Sequence, residues 1–174
     1  MTEMRILTVR QPWAYAILYA EKDIENRTRN IAGDYRGLVA IHAGAAYDRN
    51  ADSHPAIQAL ARDLRVESMS DYLTAYGHRV YRSIVGLVDL TDVHSASVIG
   101  GCGRMRHDCS EHGTCREHCS EWGMGPAPDG WYQHLVLKNP RPLSEPIPYK
   151  GALGLRRLDE DMTARILAQI EDPS

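Results

Sequence analysis

LTVRQPWAYAILYAEKDIENR, residues 7–27, compresses three elements into one short span. Arg5 to Val9 has the apolar character of a short buried strand, and Pro12 suits the first turn of a helix. That helix runs to about Glu21, with Trp13, Ile17 and Ala20 at helical spacing. Ile24 to Thr28 then alternates as a strand, so Glu25 and Arg27 point to one side while Ile24 and Asn26 point to the other. Lys22 stands at the junction, where three charges can converge. Spacing alone leaves two readings open: the lining of a pocket, or a solvated turn with a surface ion pair worth little.

Working outward, GLVAIHAG (residues 37–44) is a second apolar strand ended by glycine. Helical stretches follow over Pro55 to Arg65 and Ser70 to Tyr76, the latter with Gly77 as its stop. SIVGLVDLTDV (residues 83–93) is apolar on both alternations for much of its length, as expected of a central, covered strand. Trp131 to Leu137 and Ala152 to Leu158 read as further strands, joined by NPRPLSEPIPYKG, whose prolines argue against regular pairing. Met162, Ile166 and Ile170 mark a closing amphipathic helix. Short strands with helices interspersed, not in strict alternation, predict an α+β domain built on a small β-barrel with flanking helices.

The 174 residues suffice for one cored domain, expected to span 1–174 with a Cys/His-rich insert at about 95–130. A net charge of −3 excludes a broad cationic surface that grips nucleic acid by phosphate neutralisation alone, so any such contact is local. No apolar run reaches the length of a membrane span, and acid and base interrupt MTEMRILTVRQPWA where a signal peptide needs a continuous apolar core; a cytoplasmic protein without membrane contact is expected. Oligomeric state is not readable from the chain.

LTVRQPWAYAIL followed by AEKDIENR resembles the ASCH domain family of the PUA-like superfamily, whose signature is GxKxxExR. Lys22, Glu25 and Arg27 match it in register, with Ala20 where the signature has glycine. The resemblance continues through GLVAIHAG, IVGLVDLTDVH and GALGLRRL. It implies a small PUA-like β-barrel with a cleft in which the signature residues face a ligand, RNA or a (modified) nucleoside or nucleotide. Some ASCH members are reported to be hydrolases, either ribonucleases or amidohydrolases that deacylate N4-acetylcytidine. In the latter a threonine nucleophile stands where this chain has Glu25, and the lysine is matched by Lys22; catalysis here would rest on Lys22 and Glu25. A protein interaction module is the third reading. The implied ligand set is Lys22, Glu25 and Arg27, with Trp13 offering a face to a base. Arg10 and Gln11, between strand and helix, and His42, near the end of GLVAIHAG, complete it.

All four cysteines fall in CGRMRHDCSEHGTCREHC: Cys102, Cys109, Cys115 and Cys119, with His107, His112 and His118 between them. A polar segment of this kind has little apolar surface to bury, and zinc on four thiolates would supply the ordering free energy. Structural zinc is therefore the expected cofactor, with a histidine able to replace one cysteine; free thiols and disulfides are the alternatives.

Overall fold

The apolar runs pair into one mixed sheet. The computed structural model describes residues 3–102 and 120–171. In chain order the elements are β1 (Met4–Gln11), α1 (Trp13–Tyr19), β2 (Ile24–Arg27), β3 (Gly37–Tyr47), α2 (Pro55–Asp63), α3 (Met69–Ala75), β4 (Ser83–Ser95), β5 (Pro126–Ala127), β6 (Gly130–Trp131), β7 (Gln133–Pro148), β8 (Leu155–Arg157) and α4 (Glu160–Glu171). A 3-10 turn, Arg49–Ser53, precedes α2. Six strands share a sheet in the order β2-β7-β4-β3-β1-β8, and β5 with β6 makes a separate small hairpin. Only β1 and β3 run parallel, because α1 and β2 carry the chain back between them.

Each strand read from the sequence contributes to this sheet, but the last is shorter than expected, Leu155–Arg157 in place of Ala152 to Leu158, and Trp131 belongs to the hairpin. The expected closed barrel does not form. Its would-be closing strands are too short: β2 has four residues and pairs only with β7, while β8 has three and pairs only with β1. What spans the gap is a side chain, the Arg27 guanidinium of β2, which donates to the Thr8 carbonyl of β1 at 2.9 Å.

A second departure concerns the proline-rich connector. It continues β7 as a strand through Pro148, paired to β4 with three register shifts that bend the ladder. β2 covers β7 only over Gln133 to Val136, so the later prolines lie where the strand has one free edge, the setting that tolerates a missing N–H.

Both faces of β4 are buried, which explains its continuous apolar run. Val88 and Leu90 join Val9, Val39, Leu135 and Leu137 against Ile17 and Leu18 of α1. Leu87 and Ile84 face the opposite layer, with Ile6, Leu143 and the Met162 and Ile166 stripe of α4. A Cβ at Gly86 would collide with the Leu18 methyls, so α1 lies directly on β4. A third cluster joins Ile57, Met69 and Leu73 of α2 and α3 to Tyr15, Ile24 and Trp122. Among the described residues no helix is long and apolar enough to cross a membrane.

Leu87 is wholly buried, so Leu87→Asp places a carboxylate with no cationic partner under α4, at a cost of several kcal/mol. Loss of the cooperative thermal transition is expected by circular dichroism, whereas Leu87→Met should retain it with a cost under about 1.5 kcal/mol.

Candidate functional site

The end of α1 aims Lys22 inward. The Ala20 and Lys22 amides both donate to the Ala16 carbonyl, at 3.0 Å each, and the chain reverses there. The left-handed residue of this reversal is Glu21, at φ 54°, while Ala20 keeps φ −133°. The positive φ of the reversal thus falls on a side chain exposed to solvent and not on Ala20.

Lys22 is only 3% exposed, and its ammonium donates to the Ile24 carbonyl and to Glu25 Oε2, the latter at 3.2 Å. Glu25, 9% exposed, takes Arg27 Nη2 on its other oxygen at 3.1 Å. Strand alternation puts Glu25 and Arg27 on one side, as expected, and the carboxylate bridges two cations. Arg27 Nε is buried with no partner among the described residues. Burial holds the Lys22 ammonium below its ordinary value, an effect that the Glu25 charge opposes.

A cavity of about 630 Å³ opens beside Lys22, within the size range of small-molecule sites. Ile17, Val88 and Leu137 supply apolar lining, Trp122 and Ser120 line it as well, Glu21, Asp23 and Glu121 add acidic residues, and Lys138 is exposed where it lines the space. Behind Lys22 runs a row of rings. The ammonium lies 5.6 Å from the Trp13 ring centre, Trp13 meets His54 edge-on at 5.2 Å, and His54 lies parallel to Trp122 at 6.4 Å. Trp13 Nε1 donates to Asp48 at 3.0 Å. Burial, followed by the charge on Lys22, lowers the basicity of His54.

The expected ligand residues are therefore only partly gathered. Lys22 lines the cavity; Glu25 and Arg27 stand behind it and hold it; Trp13 packs over its ammonium. Arg10 is exposed and makes no side-chain hydrogen bond among the described residues. Gln11 spends its amide on the protein, donating to His78 and Val80 carbonyls and accepting from the Tyr15 amide. His42 lines a different cavity, of about 700 Å³, with Thr8, Arg82, Tyr149 and Lys150. There its Nε2 bonds the Tyr149 carbonyl at 3.0 Å, while buried Nδ1 has no partner among the described residues. Sequence reasoning missed Trp122, Ser120, Lys138 and His54, which are far from the signature along the chain. The one available signal was a tryptophan within SEWGM, just past the cysteines.

Of the four cysteines expected to bind zinc, Cys109, Cys115 and Cys119 lie outside the described residues. Cys102 is placed, and its neighbours are two histidines not chosen from the sequence. His94, Cys102 and His134 each offer a ligand atom within 4.8 Å of the others, a group that could hold a metal ion.

No protein-family model matches the chain, and no curated protein matches it. Among solved structures it is similar to the crystal structure of ASCH from Zymomonas mobilis, at 14% identity, over 95% of this chain and 94% of that one, with a TM-score of 0.49.

Because the folded pKa of Lys22 is depressed, the unfolded chain binds more protons in the window between that value and about 10.5, and stability rises with pH there. Lys22→Met lacks this titration. The stability of the native chain relative to Lys22→Met, from denaturant melts at constant ionic strength, should therefore increase with pH across that window. A pH-independent difference would show that Lys22 titrates as an ordinary lysine.

Proposed function

We propose that the chain binds a nucleobase, as a nucleoside or within single-stranded RNA, in the cavity beside Lys22. The observation that carries this reading is one buried, oriented ammonium lining a cavity that also presents Trp122 and the apolar side chains of Ile17, Val88 and Leu137. A base has two apolar faces and a polar edge, which such a space matches. Lys22 would donate to a ring carbonyl, Val88 and Leu137 would cover apolar surface, and Trp122 would offer a stacking face. Lys138 is suited to a phosphate. The net charge of −3 fits recognition through the base in preference to a run of phosphates. The resemblance of Lys22, Glu25 and Arg27 to the ASCH signature supports the same ligand class. Glu25 and Arg27 then act by holding Lys22 in place. In the same reading a zinc ion with a structural role belongs to the metal-capable histidines and cysteine.

One observation favours a hydrolase as the second reading: burial moves Lys22 toward the neutral amine, the form a general base needs. Glu25 occupies the threonine position of the amidohydrolase members and is held between two cations, which does not make it an acyl-transfer nucleophile.

Nucleosides and short RNAs screened by calorimetry should give saturable binding. Lys22→Met and Trp122→Ala should each weaken it about tenfold or more, which corresponds to roughly 1.4 kcal/mol, while Arg10→Ala leaves it unchanged. Melting temperatures on the same samples separate binding from folding, and equal affinity in all three variants would reject the cavity as the site. Incubation with N4-acetylcytidine and with RNA oligonucleotides tests turnover; product formation abolished by Lys22→Met would select the hydrolase.

A further inference from the structure

His94 of β4 and His134 of β7 are direct cross-strand partners, and His134 is in turn the partner of Asn26 on β2. Three strands therefore present His94, His134 and Asn26 as one row. Cys102 is brought to this row by the turn after β4, where its amide donates to the Ser95 carbonyl at 3.0 Å. That turn needs glycine at 101, since a Cβ there would run into the Ser95 carbonyl and stand 2.7 Å from the Ser97 carbonyl. His134 is 1% exposed and Cys102 4%, so polar ligand atoms meet in a nearly dry place.

The protons of both imidazoles are placed by their outer partners. His134 Nε2 lies 2.7 Å from the Met124 carbonyl, which only accepts, so Nε2 carries the hydrogen and the Nδ1 lone pair faces Cys102 Sγ at 3.2 Å. His94 Nδ1 lies 2.7 Å from Asp92 Oδ2, again an acceptor, which leaves Nε2 as the ligating nitrogen. A carbonyl behind one histidine and a carboxylate behind the other is the arrangement that orients imidazoles toward a metal. Zinc-to-ligand bonds of about 2.0 to 2.3 Å place sulfur and nitrogen about 3.5 Å apart across a tetrahedral site, close to the 3.2 Å between Cys102 Sγ and His134 Nδ1. Two imidazoles and a thiolate suit zinc among the abundant divalent ions.

We propose that His94 Nε2, Cys102 Sγ and His134 Nδ1 hold a zinc ion, and that this ion fixes the Trp122 wall of the cavity. The connection runs through hydrogen bonds. From His134 it passes to the Met124 carbonyl; the Met124 amide donates to Asn26 Oδ1 at 2.8 Å, and Asn26 Nδ2 donates to the Trp122 carbonyl at 2.9 Å. Ser120, on the same wall, bonds the Asp23 carboxylate beside Lys22. With the ion bound, His134 cannot turn, and the loop carrying Ser120 to Met124 is held against β2. The ligand set differs from one made of the four cysteines, since two histidines of the sheet, on β4 and β7, take part.

The full chain, purified without chelator, should contain about one zinc per molecule by elemental analysis, and its cobalt form should show thiolate-to-metal absorption. Cys102→Ser should abolish that absorption, and His94→Asn should lower zinc affinity at least 100-fold in a competition titration. Because His94 is the most accessible of the three, its replacement is the least demanding on folding, and Asp92→Asn is a milder variant expected to cost 10- to 100-fold. A native chain with no metal, or a folded His94→Asn chain with native zinc affinity, overturns the ligand set. Hydrogen exchange then reads the wall without any ligand: chelation should speed exchange over residues 120–124 while Leu87 to Leu90 stay protected. Unchanged exchange over 120–124 in the metal-free chain overturns the link to the cavity.

Discussion

A buried lysine is the constraint around which this fold is arranged. Removing an ammonium from water costs several kcal/mol unless its protons find acceptors, and Lys22 finds them in the Ile24 carbonyl and Glu25. Glu25 in turn needs Arg27, and Arg27 reaches across to Thr8 on β1. Solving the solvation of one cation therefore ties the end of α1 to β2, and β2 to the far side of the sheet. Backbone pairing joins β2 to β7 alone, so this charged clasp provides the closure that a full barrel would obtain from a ladder.

The same clasp decides which of these charges lines the cavity. Glu25 and Arg27 are consumed in holding Lys22, so of these three charges only the Lys22 ammonium lines the cavity, beside Ile17, Val88 and Leu137. An ammonium with two of its protons already committed has little freedom left to lose on binding, which is the condition for a weakly charged chain to recognise a polar edge. The aromatic row behind Lys22 serves the same end: Trp13 and His54 are mutually packed, and Trp13 is tied to Asp48. Rings held this way cannot collapse into the cavity.

Where Cys102 meets the sheet, its neighbours belong to the row His94, His134 and Asn26. It belongs to the regular part of the fold, where strand register fixes side-chain positions with little freedom. Side chains on paired strands, together with Cys102 on a turn where a Cβ at Gly101 would clash, form a preorganised group that could hold a metal ion.

Much of the fold was legible along the chain because its signals are local. The double-sided apolar run of Ser83 to Val93 marks a central strand, and the Met162, Ile166 and Ile170 stripe marks α4. Lys22, Glu25 and Arg27 within AEKDIENR were equally legible as a group, since strand alternation and a helix end bring them together without help from the rest of the molecule. What sequence could not supply is whatever depends on distant pairing. The prolines of β7 argue against a strand until the sheet order shows that one edge is free. Closure of the sheet depends on the lengths of β2 and β8, a matter of how many backbone groups find partners at its two margins. His94 and His134 look like ordinary strand residues until register sets them side by side with Cys102, and Trp122 reaches the cavity through contacts with distant residues, among them Asn26, almost a hundred positions earlier, which binds its carbonyl. Charge and periodicity act between near neighbours and are written in the chain; register, burial and convergence arise from loop closure and packing, and exist only once the chain has folded.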